Sequence, residues 1–328
     1  MKYGIKIFIL FLMISFIFSS YVFAKGKKDS TLDYPTKMIE FVCPFGVGGS
    51  TDLAARSLAA TMPKYLKQSI MVVNKPGGGG QIGMDYLLKK PADGYSIILA
   101  VIGPWTIYPA MHPDAIFNYT NFKYIGRAEI TPCVLVARPS DKYKDLKGLT
   151  EVIKNNPKAL KYGIAGNGTI SELGIKAYMM LAGIPMENAI GVPYEGTGEA
   201  TLAILGNHVD FMYVNLSPVL DHIKNGTLIP LALSVKEKDL PNVPTLKELG
   251  YEGAGISSWK GLAAHKDTPD AIIKILEETL LLCTKDPEWI KTQEGLGVVP
   301  AYMNGKDFEA YIKSEFETFK KLAASMKK

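Results

Sequence analysis

Four junctions in the chain place small residues between an apolar, strand-like run and a helical pattern. They are "PFGVGGSTD" (44–52), "KPGGGGQIG" (75–83), "AGNGTISE" (165–172) and "PYEGTGE" (193–199). This construction limits the fold more than any other feature of the sequence. Glycines let the backbone turn sharply and come close to a ligand. A helix that starts just beyond adds free N–H groups and a positive dipole end. "MIEFVCPF", "SIMVVN" and "YSIILAV" read as strands, separated by the helices "TDLAARSLAATMPKYL" and "QIGMDYLLKK", the second stopped by Pro91. The plan repeats from "CVLVARPS" to "LIPLALS". Such β-α-β units predict an α/β fold on parallel sheets.

The C-terminal part differs. "PDAIIKILEETLLLCTKDPEWIKTQEGLG" reads as one or two amphipathic helices, and "GKDFEAYIKSEFETFKKLAASMKK" as a last one with Phe308, Tyr311, Ile312, Phe316 and Phe319 on one face. These helices need an apolar surface, and the first α/β unit supplies it. The expected architecture is two α/β lobes with a ligand cleft between them. Residues 34–126 plus 252–328 form the first lobe and 127–251 the second, with crossings near Gly126 and Ser257. In open α/β sheets, ligands sit outside the carboxyl ends of the strands.

Residues 1–24 have the order of a secretory signal peptide: lysines in "MKYGIK", the apolar "IFILFLMISFIF", then "SSYVFA". An exported mature chain from near Lys25 is expected, with an uncleaved N-terminal anchor as the alternative. No cysteine follows the apolar run, so a lipoprotein anchor is not supported. With 47% hydrophobic and 21% charged residues, a large core is affordable and global disorder is not expected. The +5 charge is scattered lysine, without an Arg/Lys stripe interleaved with aromatics, which argues against nucleic-acid binding. Cys43, Cys133 and Cys283 read as buried unpaired thiols rather than a disulfide. The four histidines lack ligand spacing, so no metal is expected.

Chemistry at the junctions is bounded in the same way. Gly78, Gly80 and Gly83 satisfy GxGxxG, but inside a run of four glycines, on the second strand, with no acidic residue after the next strand. No Gly-Lys-Ser/Thr completes a P-loop, no GxSxG elbow occurs, and no cofactor is expected. Asp52 reads as an early-helix carboxylate offsetting the dipole. Ser50, Thr51, Thr169, Ser171 and Thr197 supply hydroxyl donors, so the loops can hold an anion without Arg or Lys.

Five stretches, in order and over nearly the whole mature chain, carry a family resemblance: "YPTKMIEFVCPFGVGGSTDLAAR", "VVNKPGGGGQIGMDYLLKKPADGYSIIL", "YGIAGNGTISELG", "VPYEGTGEATLAILGNHVDFMYVN" and "LPNVPTLKELGY". The chain resembles the extracytoplasmic substrate-binding proteins of tripartite tricarboxylate transporters, the Bug family. The resemblance implies a two-lobed periplasmic-binding-protein fold of type II and a non-catalytic protein, monomeric, that closes on a small carboxylate. It also implies a membrane permease partner with a large and a small subunit. A sensor for a membrane signalling partner and an exported enzyme using the same cleft are the alternative readings.

Carried over by residue, the first-lobe pocket loop is Phe45, Gly46, Val47, Gly48, Gly49, Ser50 and Thr51. The second-lobe loop is Gly166, Asn167, Gly168 and Thr169. Gly103 and Trp105 fall where the family has a cleft-facing loop, and Tyr194, Gly196 and Asn215 match further pocket positions. Three departures stand out. Gly46-Val47 replace two prolines, which puts Val47 forward as a shaper of the pocket. Ser171-Glu172 replace a proline and a histidine, and Glu195 replaces a lysine. If Glu172 and Glu195 face inward, they disfavour a highly charged anion.

Overall fold

The apolar run "IEFVC" forms β1 (Ile39–Cys43), whose Ile39, Phe41, Val42 and Cys43 are buried. The computed structural model describes residues 32–325, so the predicted signal peptide lies outside the described residues. β1 is joined by α1 (Ser50–Thr61) to β2 (Ile70–Asn74), and β2 by α2 (Gln81–Leu88) to β3 (Ser96–Val101). Both β2 and β3 pair with β1 in parallel. The chain then forms β4 (Phe122–Thr131) and, after Pro132 alone, β5 (Cys133–Ala137) in a second sheet. There follow α3 (Leu146–Asn155), β6 (Leu160–Ile164), α4 (Ile170–Leu181), β7 (Ala189–Pro193), α5 (Thr197–Leu205), β8 (Phe211–Asn215) and β9 (Ile229–Leu233). The chain returns as β10 (Ser258–His265) and ends with α6 (Asp270–Lys285), α7 (Pro287–Gly295), β11 (Val299–Asn304) and α8 (Gly305–Ser325).

The sheet orders are β11-β4-β10-β3-β1-β2 and β7-β6-β8-β5-β9. The expectation of parallel sheets is therefore corrected, because both are mixed. β10 runs antiparallel to β3 and β4, and β5 antiparallel to β8 and β9. The cause is connectivity. A helical crossover delivers the next strand in parallel. β5 instead follows β4 after Pro132 alone, and β10 follows β9 through residues 234–257, which contain no helix to reverse the chain. Each sheet thus contains one strand inserted by the crossing.

The chain changes sheet at Pro132, beyond the predicted crossing at Gly126. β4 and β5 are each paired on both sides, and there a proline, with no N–H for the ladder, breaks the strand. Gly126 lies inside β4 with φ +151°, where an added Cβ would meet the Met303 carbonyl at 2.7 Å. The glycine marks an irregularity in a strand that continues, beside a register shift with β10. β10, the strand that returns to the first sheet, begins at Ser258. α6 and α8 pack against β4, and Phe308, Ile312 and Phe319 of α8 are buried. The second sheet packs its own core, including Val134, Met212 and Val214 against Ile204 and Leu220. All three cysteines are free and buried.

Two buried polar groups brace the crossing strands. Lys260 on β10 and Glu129 on β4 are register partners, each 1% exposed, with Nζ 2.9 Å from Oε1. Lys260 also bonds Thr131 Oγ1, which donates to Glu129 Oε1 at 3.1 Å. With its amide oriented to satisfy both sides, Gln293 donates to Glu129 Oε2 (3.0 Å) and accepts from Trp289 Nε1 (3.1 Å) and Ser57 Oγ (2.8 Å). On α8, Glu315 accepts from Trp259 Nε1 (2.7 Å), Tyr311 Oη (3.1 Å) and Thr106 Oγ1 (3.1 Å). It ties β10 to the turn after β3. Burial pushes its carboxyl up to about 7, against those three donors and the nearby Arg127 charge.

Losing one partner of a buried pair leaves an uncompensated charge, whereas replacing both with apolar groups can be neutral. Lys260→Met alone should cost about 3–5 kcal/mol in urea unfolding. The double variant Lys260→Met, Glu129→Leu should recover most of it. Glu315 yields a pH effect of defined sign. Its folded pKa lies above the unfolded value, so the folded state holds the extra proton between the ordinary glutamate pKa and about 7. Its contribution to stability should therefore fall as pH rises through that window. A melting-temperature profile of Glu315→Leu should lack this decline.

Candidate functional site

The loops after β1, β6 and β7 share one plan. Each runs into a helix whose N-cap residue, Gly49, Thr169 or Gly196, has extended backbone and no side-chain cap bond. Two other helices, α3 and α7, are capped by aspartate, whereas α2 and α6 also lack a side-chain cap. Asp145 accepts from Gly148 N at 2.7 Å, and Asp286 from Glu288 N at 2.9 Å. Leaving the first helical N–H groups without a side-chain partner has a cost unless something else accepts from them. At α1, α4 and α5 these groups remain for an anion.

The third residue of each helix turns its carboxylate back to the loop. Asp52 Oδ2 accepts from Gly48 N at 2.9 Å, Glu172 Oε2 from Gly168 N at 2.7 Å, and Glu199 Oε2 from Glu195 N at 2.8 Å. In two of the three, a base one turn on closes the arrangement: Arg56 on Asp52, Lys176 on Glu172. Burial pushes the Asp52 carboxyl up, but Arg56, the Gly48 amide and Asn74 outweigh it and hold it below the usual range. "GGSTDLAAR" (48–56) and "GTISELGIK" (168–176) are thus one motif used twice: Gly, then Thr or Ser at the fourth place, an acid, Leu, and a base at the ninth. The pattern was present in the sequence, and comparing the two loops residue by residue would have found it.

Between the helix starts lies a cavity of about 40 Å³. Phe45, Gly49, Ser50, Thr51, Gly103, Thr169 and Asn215, all predicted site residues, line it together. Both sheets contribute to it. Val101, Ile102, Ala165, Ile170, Ser171, Thr197, Val214 and Ser258 complete the lining. Of these, Ser171 and Thr197 are hydroxyls that the sequence singles out, and Ser258 stands at the predicted return crossing. The apolar members lie at or just beyond strand ends, apart from Ile170 at the start of α4, and have no sequence signal of their own. The lining carries donors and apolar surface but no ionisable side chain.

Proton accounting separates the hydroxyls. Ser171 Oγ accepts from Ala165 N at 2.8 Å and lies 2.8 Å from Thr169 Oγ1, while Thr169 Oγ1 donates to the Gly166 carbonyl at 2.7 Å. A hydroxyl has one proton, so Thr169 has used its own and Ser171 gives its proton to Thr169. Asn215 Nδ2 donates to Ser50 Oγ at 2.8 Å, so Ser50 keeps its proton. Thr51 and Thr197 supply two more cavity hydroxyls.

The remaining predicted site residues are not brought to this cavity. Gly166, Asn167 and Tyr194 line a separate, larger opening of about 350 Å³ with Tyr108, Glu195 and Glu199. Gly46, Val47 and Gly196 form a seam between the two halves. A Cβ on Gly196 would lie 3.3 Å from Gly46 N, and one on Gly198 only 2.7 Å from the Val47 carbonyl. Val47 is 68% exposed, so it does not shape the cavity as its place in the sequence suggests. Gly48 and Gly168 instead feed their amides to Asp52 and Glu172. Trp105 is fully buried against Phe122, with ring centroids 5.0 Å apart. Glu172 is occupied by Gly168 and Lys176, and Glu195 sits at the outer opening, so neither carboxylate lines the inner cavity.

Comparison with known proteins agrees with this architecture. A family model described as tripartite tricarboxylate transporter family receptor matches residues 54–327. A UPF0065 protein from Bordetella pertussis is 30% identical over 286 residues, 86% of this chain and 87% of the relative. BugT from the same organism is 29% identical over 288 residues, 87% of each chain. The periplasmic binding protein BugD superposes with a TM-score of 0.84 at 30% identity, covering 89% of this chain and 98% of that one. MatC from Rhodopseudomonas palustris, solved with bound malate, shares the fold at 24% identity, with a TM-score of 0.81 over 88% of this chain and all of that one. Among the described residues no helix is long and apolar enough to cross a membrane. The two-lobed α/β architecture is that of the periplasmic binding proteins, and the chain belongs to the tripartite tricarboxylate transporter receptor family.

Proposed function

We propose that this protein captures a small carboxylate outside the cytoplasmic membrane and delivers it to a permease with a large and a small membrane subunit. We take residues 35–131 with 258–325 as one lobe and 133–257 as the other. The observation that carries the reading is the convergence of three uncapped helix starts on one cavity lined from both sheets. Amides at helix N-termini suit a carboxylate. A lining without an ionisable side chain offers no general acid or base for chemistry, which favours capture over turnover. The malate held by MatC is an acid of this class.

The mechanism follows from the placement of the donors. The acid meets α1 on one lobe and α4 and α5 on the other, so its full set of hydrogen bonds exists only when the lobes are together. A ligand favours closure only by the contacts it gains in the closed state. Phe45, Val101, Ile170 and Val214 exclude water from the donors, which strengthens each bond. Because Glu172 and Glu195 do not line the inner cavity, they set no limit there on the ligand's charge.

Isothermal titration against a panel of mono-, di- and tricarboxylates should find saturable binding of at least one small acid. Thr51→Val and Thr197→Val should each weaken it by about 1.5–3 kcal/mol, the range for a hydrogen bond to a charged group. Failure of every acid to bind, or unchanged affinity in both variants, contradicts the proposal.

A further inference from the structure

Ser50 opens α1 beyond the first sheet, and Asn215 ends β8 in the second. Their side chains meet across the cleft through the 2.8 Å bond from Asn215 Nδ2 to Ser50 Oγ. Both are buried, at 6% exposure for Asn215 and 2% for Ser50, and both line the cavity. Asn215 is also held from behind. Its Oδ1 accepts from Cys133 Sγ at 3.6 Å, and Cys133 is its register partner in β5. The crossing residue Pro132 accepts from Leu216 N, next to Asn215, at 2.8 Å. The amide is therefore anchored to the strand that leaves the crossing, with its oxygen and one N–H assigned.

Two consequences follow. The bond joins two side chains of the protein, so it favours lobe closure without a third party. By accepting from Asn215, the Ser50 oxygen also keeps its own proton as a donor. We infer that Asn215 is a positioning residue that clasps the two lobes through Ser50 and leaves the Ser50 proton for the bound acid. Its effect on affinity rests on the binding-protein reading, whereas the clasp itself does not. A ligand that binds only the closed form gains affinity in proportion to the closed fraction. One neutral hydrogen bond shifts that equilibrium by about fivefold. Sequence resemblance assigns Asn215 to the ligand, and the geometry gives it a second partner in the opposite lobe.

The test needs no ligand. Spin labels on Lys89→Cys and Lys154→Cys, both exposed and one on each lobe, report the distribution of cross-cleft distances. The native cysteines are buried with thiols pushed up to about 12 by desolvation, so they resist labelling. Asn215→Ala should raise the ratio of open to closed molecules about fivefold in buffer alone. Ser50→Ala, which removes one oxygen, should do the same and reads the same bond if Asn215→Ala folds poorly. The double variant should open no further than either single, because both remove one interaction. Unchanged distances in the single variants, or additive opening in the double, overturn the inference. If no acid binds the wild type, the proposed function fails while this measurement still decides the clasp.

Discussion

The uncapped N–H groups at the starts of α1, α4 and α5 are the constraint on which the rest of the molecule depends. Three helices with open first turns, aimed at one cavity, repel each other's dipole ends unless an anion or a hydrogen-bonding ligand sits among them. The chain manages this with a carboxylate at the third position of each helix. Asp52, Glu172 and Glu199 face back toward the loops instead of forward into the cavity. The loop is fixed, the helix end is partly compensated, and the cavity lining stays free of ionisable groups.

The second requirement is that the two halves meet in register around that cavity. One junction runs strand to strand, and the other follows the irregular segment 234–257 that leads into β10. β4 passes into β5 across Pro132, and β10 returns from Ser258. Each crossing strand inserts itself antiparallel into the sheet it enters, so the crossings are part of both cores. The buried Lys260–Glu129 pair lies between β10 and β4, two residues along from Ser258 at the cavity wall. Such a pair adds little net stability over an apolar filling, but separating its partners leaves an uncompensated buried charge.

Much of this was legible in the sequence, and the reasons for the rest are physical. A strand, a glycine loop and a helix start are local, so the junctions after β1 and β6 could be read from a dozen residues each. The glycines' roles were not local. Gly46, Val47 and Gly196 look like ligand contacts in the sequence, yet they form a seam because the opposite half approaches there. Gly166, Asn167 and Tyr194 face another opening for the same reason. β4 and β11 pass unnoticed because edge and crossing strands lack the β-α-β rhythm, and Gly126 imitates a linker while sitting in a bulge. Trp105 has no periodicity to show that it points into the core. The "GGSTDLAAR" and "GTISELGIK" repeat was fully present in the sequence and needed only comparison.

In the proposed binding mode, backbone amides at helix starts, not charged side chains, hold the ligand. Amide chemical shifts of the isotope-labelled protein, followed during titration with the tightest acid of the panel, test it most directly. The largest shifts should fall at the amides of Ser50, Thr51, Ile170, Ser171, Thr197 and Gly198. Largest shifts around Gly77–Gly79, Asn167 and Glu195, with those helix starts unmoved, would contradict it.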